Sequence, residues 1–455
     1  MPAPAASRIV DAYPLTSLQA GMVFHNELDG RGSTYRDVCR VLVQAPFSPA
    51  ALSAALNAAA TRHDVLRTAF DFAGFDEPLQ LVFDTVEIPL EIEDLRGLPP
   101  EERPGRKLEA AEAAASESIA WDKAPLLRAR AEIVDDQKFR LILSFHHAIL
   151  DGWSLALLLS ELLCSYSAEL GQSSTPPTRP LKSRFRDFVA AERRALQSEA
   201  SGEFWRIVAM AAPSSLGWTP TNGQSSNSLT VDTLPITHDE LGGLTSTAAR
   251  LRVPLKSVFL AIHASALASL TGVHDVCTGV ITNCRLEDED GDRALGLFIN
   301  TLPVRIHVGQ LSWADLARQA FEQEAAISQH RRYPLAAIQR LGTDTVLFDT
   351  VFGYQQYQLF EGLKSSIGID VLEIELFERT NFPLVVSASL SPSKRDARVL
   401  LKHQGAIAPE AVCEFKSLMG DGIRALIRGD PIMPRGHRSD AGESAPSVAP
   451  MFPQA

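Results

Sequence analysis

The sequence predicts a mixed α/β chain built as two lobes. Three observations carry that expectation. Of its 455 residues, 45% are hydrophobic and 22% charged, the balance of a globular chain with a large core. Strand-like and helix-like segments alternate in both halves. A Gly/Ser/Pro-rich break, GQSSTPPTRPL at 171–181, lies between the halves and cannot continue a helix.

The elements follow in order. PAALSAALNAAATR at 49–62 has helical spacing, and QLVFDTVEIPLEIE at 80–93 alternates in strand style. KLEAAEAAASESI at 107–119 is rich in helix formers. LLRARAEIV and FRLILSFHHAI read as a hairpin joined by DDQK, and the second strand is apolar enough to be central and buried. LALLLSELLCSYSAEL then forms a helix. Beyond the break, helices are expected over 183–197 and near 202–210, with a loop at 211–230. LGGLTSTAARLRVPLKSVFLAIHASALASLTG gives two helices, DVCTGVITN a buried strand and LFINTLPVRIHV another. SWADLARQAFEQEAAISQHRRY is an amphipathic helix with Ser312 as N-cap. The Pro/Ser/Ala-rich tail beyond about 430 reads as disordered. The division expected is therefore a first lobe at 1–170, a linker at 171–182, a second lobe at 183–430 and a tail at 431–455.

Composition excludes several classes. The net charge of -12 argues against broad nucleic-acid binding, which needs a basic footprint. No run of 18 apolar residues announces a membrane span, and the start lacks a secretory pattern. Five cysteines without a CxxC pair fit a reducing cytoplasm better than a disulfide framework or a zinc site. P-loop, GxGxxG and GxSxG motifs are absent, so nucleotide use and serine hydrolase chemistry lack support.

The sharpest motif is Ser144-Phe145-His146-His147-Ala148-Ile149-Leu150-Asp151-Gly152-Trp153-Ser154. Two histidines close an apolar strand, and consecutive strand side chains point to opposite faces. One would face a channel and the other support it. A neutral imidazole can take a proton from an amine or alcohol near neutral pH. The bland alternative is a buried pair satisfied by backbone carbonyls. A metal at His-His-x3-Asp is disfavoured, because adjacent strand positions diverge and no second cluster is nearby in sequence.

Here the chain resembles the condensation domains of nonribosomal peptide synthetases, within the chloramphenicol-acetyltransferase-like superfamily. His146-His147-x-x-x-Asp151-Gly152 matches the HHxxxDG signature. Other stretches resemble family motifs in order: Tyr13 to His25, Arg62 to Phe70, Phe185-Arg186-Asp187-Phe188 with Phe204-Trp205, Gly296 to Arg305, His330 to Leu335, and Arg379 to Leu384. The resemblance spans about residues 11–430. It implies two acetyltransferase-like lobes in a V-shaped pseudo-dimer with a tunnel between them. A carrier protein's phosphopantetheine arm delivers an acyl or aminoacyl thioester from one side. An amine or alcohol acceptor enters from the other, yielding an amide or an ester. The domain binds no cofactor of its own.

The family's roles carry over onto matching positions. His147 takes the catalytic position. Gly152 leaves room near the thioester, and its N–H is placed to stabilise an oxyanion. His146 is a structural support. Asp151 pairs with an arginine, with Arg67 as first candidate and Arg62 as second. Asn300, Trp153 and Ser154 are tunnel candidates. Epimerisation domains share HHxxxDG, but Thr278 to Arg285 lacks their acidic-histidine motif. A non-catalytic carrier-recruitment domain is the remaining alternative. Met1 and the missing adenylation and carrier motifs suggest either a free-standing enzyme or a domain excised from a synthetase. Carrier proteins are commonly acidic, so docking on a chain of net charge -12 would need local basic patches. Arg331-Arg332 and the run Lys182, Arg184, Arg186, Arg193 and Arg194 are the candidates.

Overall fold

In the first half, the hairpin that carries the two histidines is the centre of construction. β6 (Leu127–Asp135) and β7 (Lys138–His146) pair antiparallel, with Ala129 opposite Leu143. On its other side β7 pairs antiparallel with β2 (Arg36–Gln44). β7 is central in its sheet and buried on both faces from Leu141 to His146, and from Leu141 to Phe145 it is apolar at every position but Ser144. The computed structural model describes residues 7–28, 35–98, 119–173, 179–210, 230–342, 346–356, 369–378, 382–390, 397–403 and 407–432. The expected helix at 107–119 falls outside them save for its last residue. So do most of the tail, the middle of the linker and Arg379 to Asn381.

Around that hairpin, β5 (Leu90–Asp94) runs parallel to β6. β1 (Ile9–Pro14), β3 (Thr68–Asp71) and β4 (Leu79–Phe83) form a small separate sheet in the order β1-β4-β3. The single strand expected over 80–93 is thus two strands in two sheets. α1 (Ser17–Leu28) follows β1. α2 (Pro49–Arg62) starts behind a Ser48 N-cap with proline in its first turn, where no N–H is missed. α3 (Gly152–Glu169) packs on α2 and buries Leu155, Leu158, Leu159 and Leu162.

The second half is built on a six-stranded sheet ordered β10-β9-β11-β13-β14-β8. Its strands are β8 (Thr230–Ile236), β9 (Asp275–Asn283), β10 (Ile299–His307), β11 (Thr350–Gln356), β13 (Leu384–Leu390) and β14 (Ala397–His403). α4 (Phe185–Leu196) and α5 (Glu199–Met210) precede it. α6 (His238–Leu251), α7 (Leu255–Thr271), α8 (Trp313–Ser328), α9 (Leu335–Gln339) and α10 (Pro409–Arg428) complete the helices among the described residues. Ser312 caps α8, its Oγ accepting from Asp315 N at 3.2 Å. α7 is buried nearly all round, and among the described residues no single helix is long and apolar enough to cross a membrane.

Two hydrophobic cores result, and their division does not coincide with the expected boundary at 171–182. β12 (Asp370–Phe377) leaves the second half and pairs antiparallel with β2, completing a five-stranded sheet ordered β12-β2-β7-β6-β5. The first core also takes Phe185, Phe188 and Val189 of α4, Leu295 to Phe298, and Ile369 with Val371. The rings of Phe185, Phe188 and Phe298 stand 5.2–5.7 Å apart. Gly296 is needed at this seam, since a Cβ there would sit 2.3 Å from the Phe185 ring.

Candidate functional site

Both histidines lie at the end of β7, and their surroundings separate them. His146 is buried against the Trp121 ring, with centroids 3.9 Å apart. Its Nδ1 accepts the Ala148 N–H at 3.0 Å, so its proton is on Nε2. Burial, the neighbouring His147 and then Arg36 hold its pKa well below the ordinary imidazole value. It stays neutral.

His147 is the partly open member, its side chain 18% exposed. Its Nδ1 lies 2.9 Å from Leu150 O and 3.1 Å from Asp37 Oδ2. Both neighbours are acceptors, so Nδ1 carries a proton and the ring's remaining nitrogen, Nε2, is the reactive one. Burial opposes a charge on the ring. The Asp37 charge and hydrogen bond, then Glu378, outweigh it and raise the pKa to about 9. Asp37 is itself buried, which pushes its carboxyl up, while His147 pulls it back. Glu378 follows β12 and is paired with Lys402 of β14. Burial opposes its charge, but Lys402 more than compensates and draws its pKa down. Asp37, Glu378 and Lys402 were not singled out in the sequence. The available signal was an aspartate beside a run of buried apolar strand positions, legible only once β2 is assigned.

Asp151 works as a clamp. It caps α3, with Oδ1 accepting Ser154 N at 2.7 Å. Oδ2 accepts Phe298 N at 2.8 Å, and its own N–H donates to Gly296 O at 3.0 Å. Its arginine partner is Arg285, whose Nη2 is 3.3 Å from Oδ1. Arg285 also donates to Ser154 Oγ at 2.6 Å and lies over the Phe298 ring at 4.3 Å. Arg67 is not that partner. Its guanidinium is spent on the carbonyls of Ala60, Phe83 and Asp84 and on Asp64, closing the turn below α2. Arg62, the second choice, faces Glu161 of α3 at 3.6 Å, where His63 also bonds. Nearness in sequence to the Arg62–Phe70 motif favoured both, whereas the true partner is 134 positions away.

The tunnel candidates fare differently from expectation. Ser154 is fully buried, and its hydroxyl meets Arg285, Gly296 O and Gly296 N. Asn300 is buried too: Nδ2 donates to Arg331 O and Tyr333 O, and Oδ1 accepts from Thr301 N and Leu335 N. Both side chains have their hydrogen-bonding capacity committed within the protein, so neither has a polar group to offer a substrate. Trp153 is exposed and donates to Asp292 O at 3.0 Å. Gly152 is exposed at the first turn of α3, and an added Cβ there would meet nothing within 4 Å.

The basic patches are largely neutralised. Arg331 and Arg332 both pair with Glu287. Lys182 pairs with Glu289, Arg184 with Asp64, Arg186 with Asp11 and Arg193 with Glu77. Arg194 is exposed, with no ion pair among the described residues. Among the described residues no cluster of three or more His, Cys, Asp or Glu is arranged to hold a metal.

Comparison with known proteins adds the following. The family model "Condensation domain" matches residues 9–399. The AMB antimetabolite synthetase AmbE of Pseudomonas aeruginosa is 31% identical over 429 residues, covering 93% of this chain and 20% of that protein. Tyrocidine synthase 2 of Brevibacillus parabrevis is 27% identical over 404 residues, covering 83% of this chain and 11% of that protein. The chain thus spans a fifth or less of these relatives' length. Among solved structures, the first condensation domain of the calcium-dependent antibiotic synthetase superposes with a TM-score of 0.75 at 20% identity, covering 94% of this chain and 98% of that one. The condensation domain from the Monacolin K polyketide synthase MokA gives 0.78 at 18% identity, covering 93% and 100%.

Proposed function

The chain belongs to the condensation-domain family of nonribosomal peptide synthetases, and from that premise we propose that it moves an acyl or aminoacyl group from a carrier protein's phosphopantetheine thioester onto an amine, forming an amide. Residues 1–170 and 183–430 serve as two lobes flanking the reaction channel, joined by the linker at 171–182, with α4 and β12 of the second lobe packed into the core of the first, and the reaction takes place in the cytoplasm. The observation that carries the reading is the ring of His147, engaged through Nδ1 and left with Nε2 alone for the reactants.

The chemistry divides between positioning and proton transfer. A thioester is already activated, and holding both reactants together is worth about 7–11 kcal/mol of barrier. The acceptor nitrogen attacks the thioester carbonyl, Nε2 takes the proton that the attacking amine must lose, and the carrier thiol departs. General base action of this kind adds about 10²–10⁴-fold. The Gly152 N–H, at the positive end of α3, suits the transient oxyanion.

An amine suits this site better than an alcohol. With a pKa of about 9, only about one His147 ring in a hundred is neutral at pH 7. An alcohol needs its proton drawn off during attack. A neutral amine attacks first and then presents an acidic ammonium, which a base of pKa about 9 is matched to accept. The test is an assay of acyl- and aminoacyl-S-carrier donors against a panel of amines and alcohols, read by mass spectrometry. Amide products are expected. Esters alone would overturn the preference for amines, and donor loss at the uncatalysed hydrolysis rate with every acceptor would sink the transferase reading.

A further inference from the structure

The carboxylate beside His147 belongs to no motif that led to the site, and its placement is unusual for an acid. Asp37 is 2% exposed, on a strand whose residues from Val38 to Val41 are all buried. Its Oδ1 is buried without a hydrogen-bond partner among the described residues. An ionised carboxylate in such a place costs several kcal/mol unless a cation faces it. The group at its other oxygen is His147 Nδ1, at 3.1 Å.

The wider charge arrangement points the same way. β12 pairs on β2 with Phe377 opposite Val38, so the next residue, Glu378, arrives beside Asp37. Lys402 answers Glu378 from β14. Two carboxylates and one lysine leave one negative charge over, and an imidazolium at His147 neutralises it. His146 cannot supply that charge, since it is held neutral by burial with Arg36 nearby. Resting on the reading of His147 as the group that meets the reactants, we infer that Asp37 is its positioning residue: it fixes the ring with Nδ1 protonated, directs Nε2 to the reacting groups and strengthens the ring's hold on a proton.

The experiment is a pH titration of the full chain, carrying ¹⁵N-labelled histidine, followed by NMR. The His147 resonances are assigned by their loss in His147→Ala. The wild-type ring is expected to titrate near 9 and, when neutral, to show the Nδ1-protonated pattern. Asp37→Asn should lower the midpoint by at least about one pH unit toward the ordinary ~6.5, and Asp37→Glu should restore part of the difference. Diethyl pyrocarbonate, which reacts with neutral imidazole nitrogen, should label His147 at least about tenfold faster at pH 7 in Asp37→Asn. A wild-type midpoint at or below 6.5 overturns the inference without any variant, which covers the case in which Asp37→Asn fails to fold. An unchanged midpoint or labelling rate in a folded Asp37→Asn overturns it as well. None of these readouts needs a donor or an acceptor. A chain that transferred no acyl group would lose the proposed function, and the titration would still decide the role of Asp37.

Discussion

At His146 and His147, adjacency in the chain yields opposite protonation chemistry: one Nδ1 accepts from a backbone N–H, the other donates. His147→Ala is therefore expected to cut turnover by about 10²–10⁴-fold in a chain that still folds, with a lower melting temperature because the buried Asp37 loses the cation that faces it. Asp151→Ala belongs to the opposite class. It strands the buried Arg285 guanidinium and frees Phe298 N, a loss of about 3–5 kcal/mol that denaturant unfolding would register. The histidines also set a pH optimum of stability. His146 and the buried His263, whose pKa falls to about 3, refuse protons that the unfolded chain accepts below ~6.5, so stability drops as pH falls through that range. His147 binds its proton more tightly folded than unfolded, so its contribution is complete below ~6.5 and is lost as pH rises through about 9. Melting temperature should then peak near pH 6.5, at slopes of about 1.4 kcal/mol per pH unit for each group. The motif histidines were legible from their spacing alone. Asp37 and Arg285 were not, because one lies on β2 and the other just past the end of β9, and only tertiary pairing brings either to the motif.

Elements stabilised by local pattern are the ones the sequence announces. α2, the β6–β7 hairpin and α8 with its Ser312 cap follow from apolar periodicity, a short turn and capping chemistry within a few residues. Ser312→Ala should cost about 1 kcal/mol, seen as a lower denaturation midpoint at unchanged slope. β12 illustrates the opposite case. Its exposed face carries Leu372 and Ile374, its periodicity is broken by an irregular register between Val371 and Glu373, and its partner β2 is over three hundred residues away. Val371→Asp would place a charge in the first core from the second half of the sequence. It is expected to cost several kcal/mol and to shift the unfolding of the whole first sheet, which amide hydrogen exchange in β2 and β7 would report.

Across the whole molecule, the net charge of -12 coexists with a face where Arg184, Arg186 and Arg193 are each tied to an acid of the first half. Such exposed pairs contribute about 0–1 kcal/mol apiece, so they tune the seam more than they hold it. The seam is held by α4, by the loop at Leu295–Phe298 and by β12. Unfolding should accordingly be one cooperative transition, with calorimetric and van't Hoff enthalpies in agreement, and residues 1–182 alone should not fold, by circular dichroism. The path of β12 has a further consequence for exchanging segments between relatives. A chimera joined at the linker inherits β2 from one parent and β12 from the other, together with the carboxylates at their ends. The linker is thus a convenient crossover on paper that splits a matched pair, and recombinants should survive best when both strands share one ancestry.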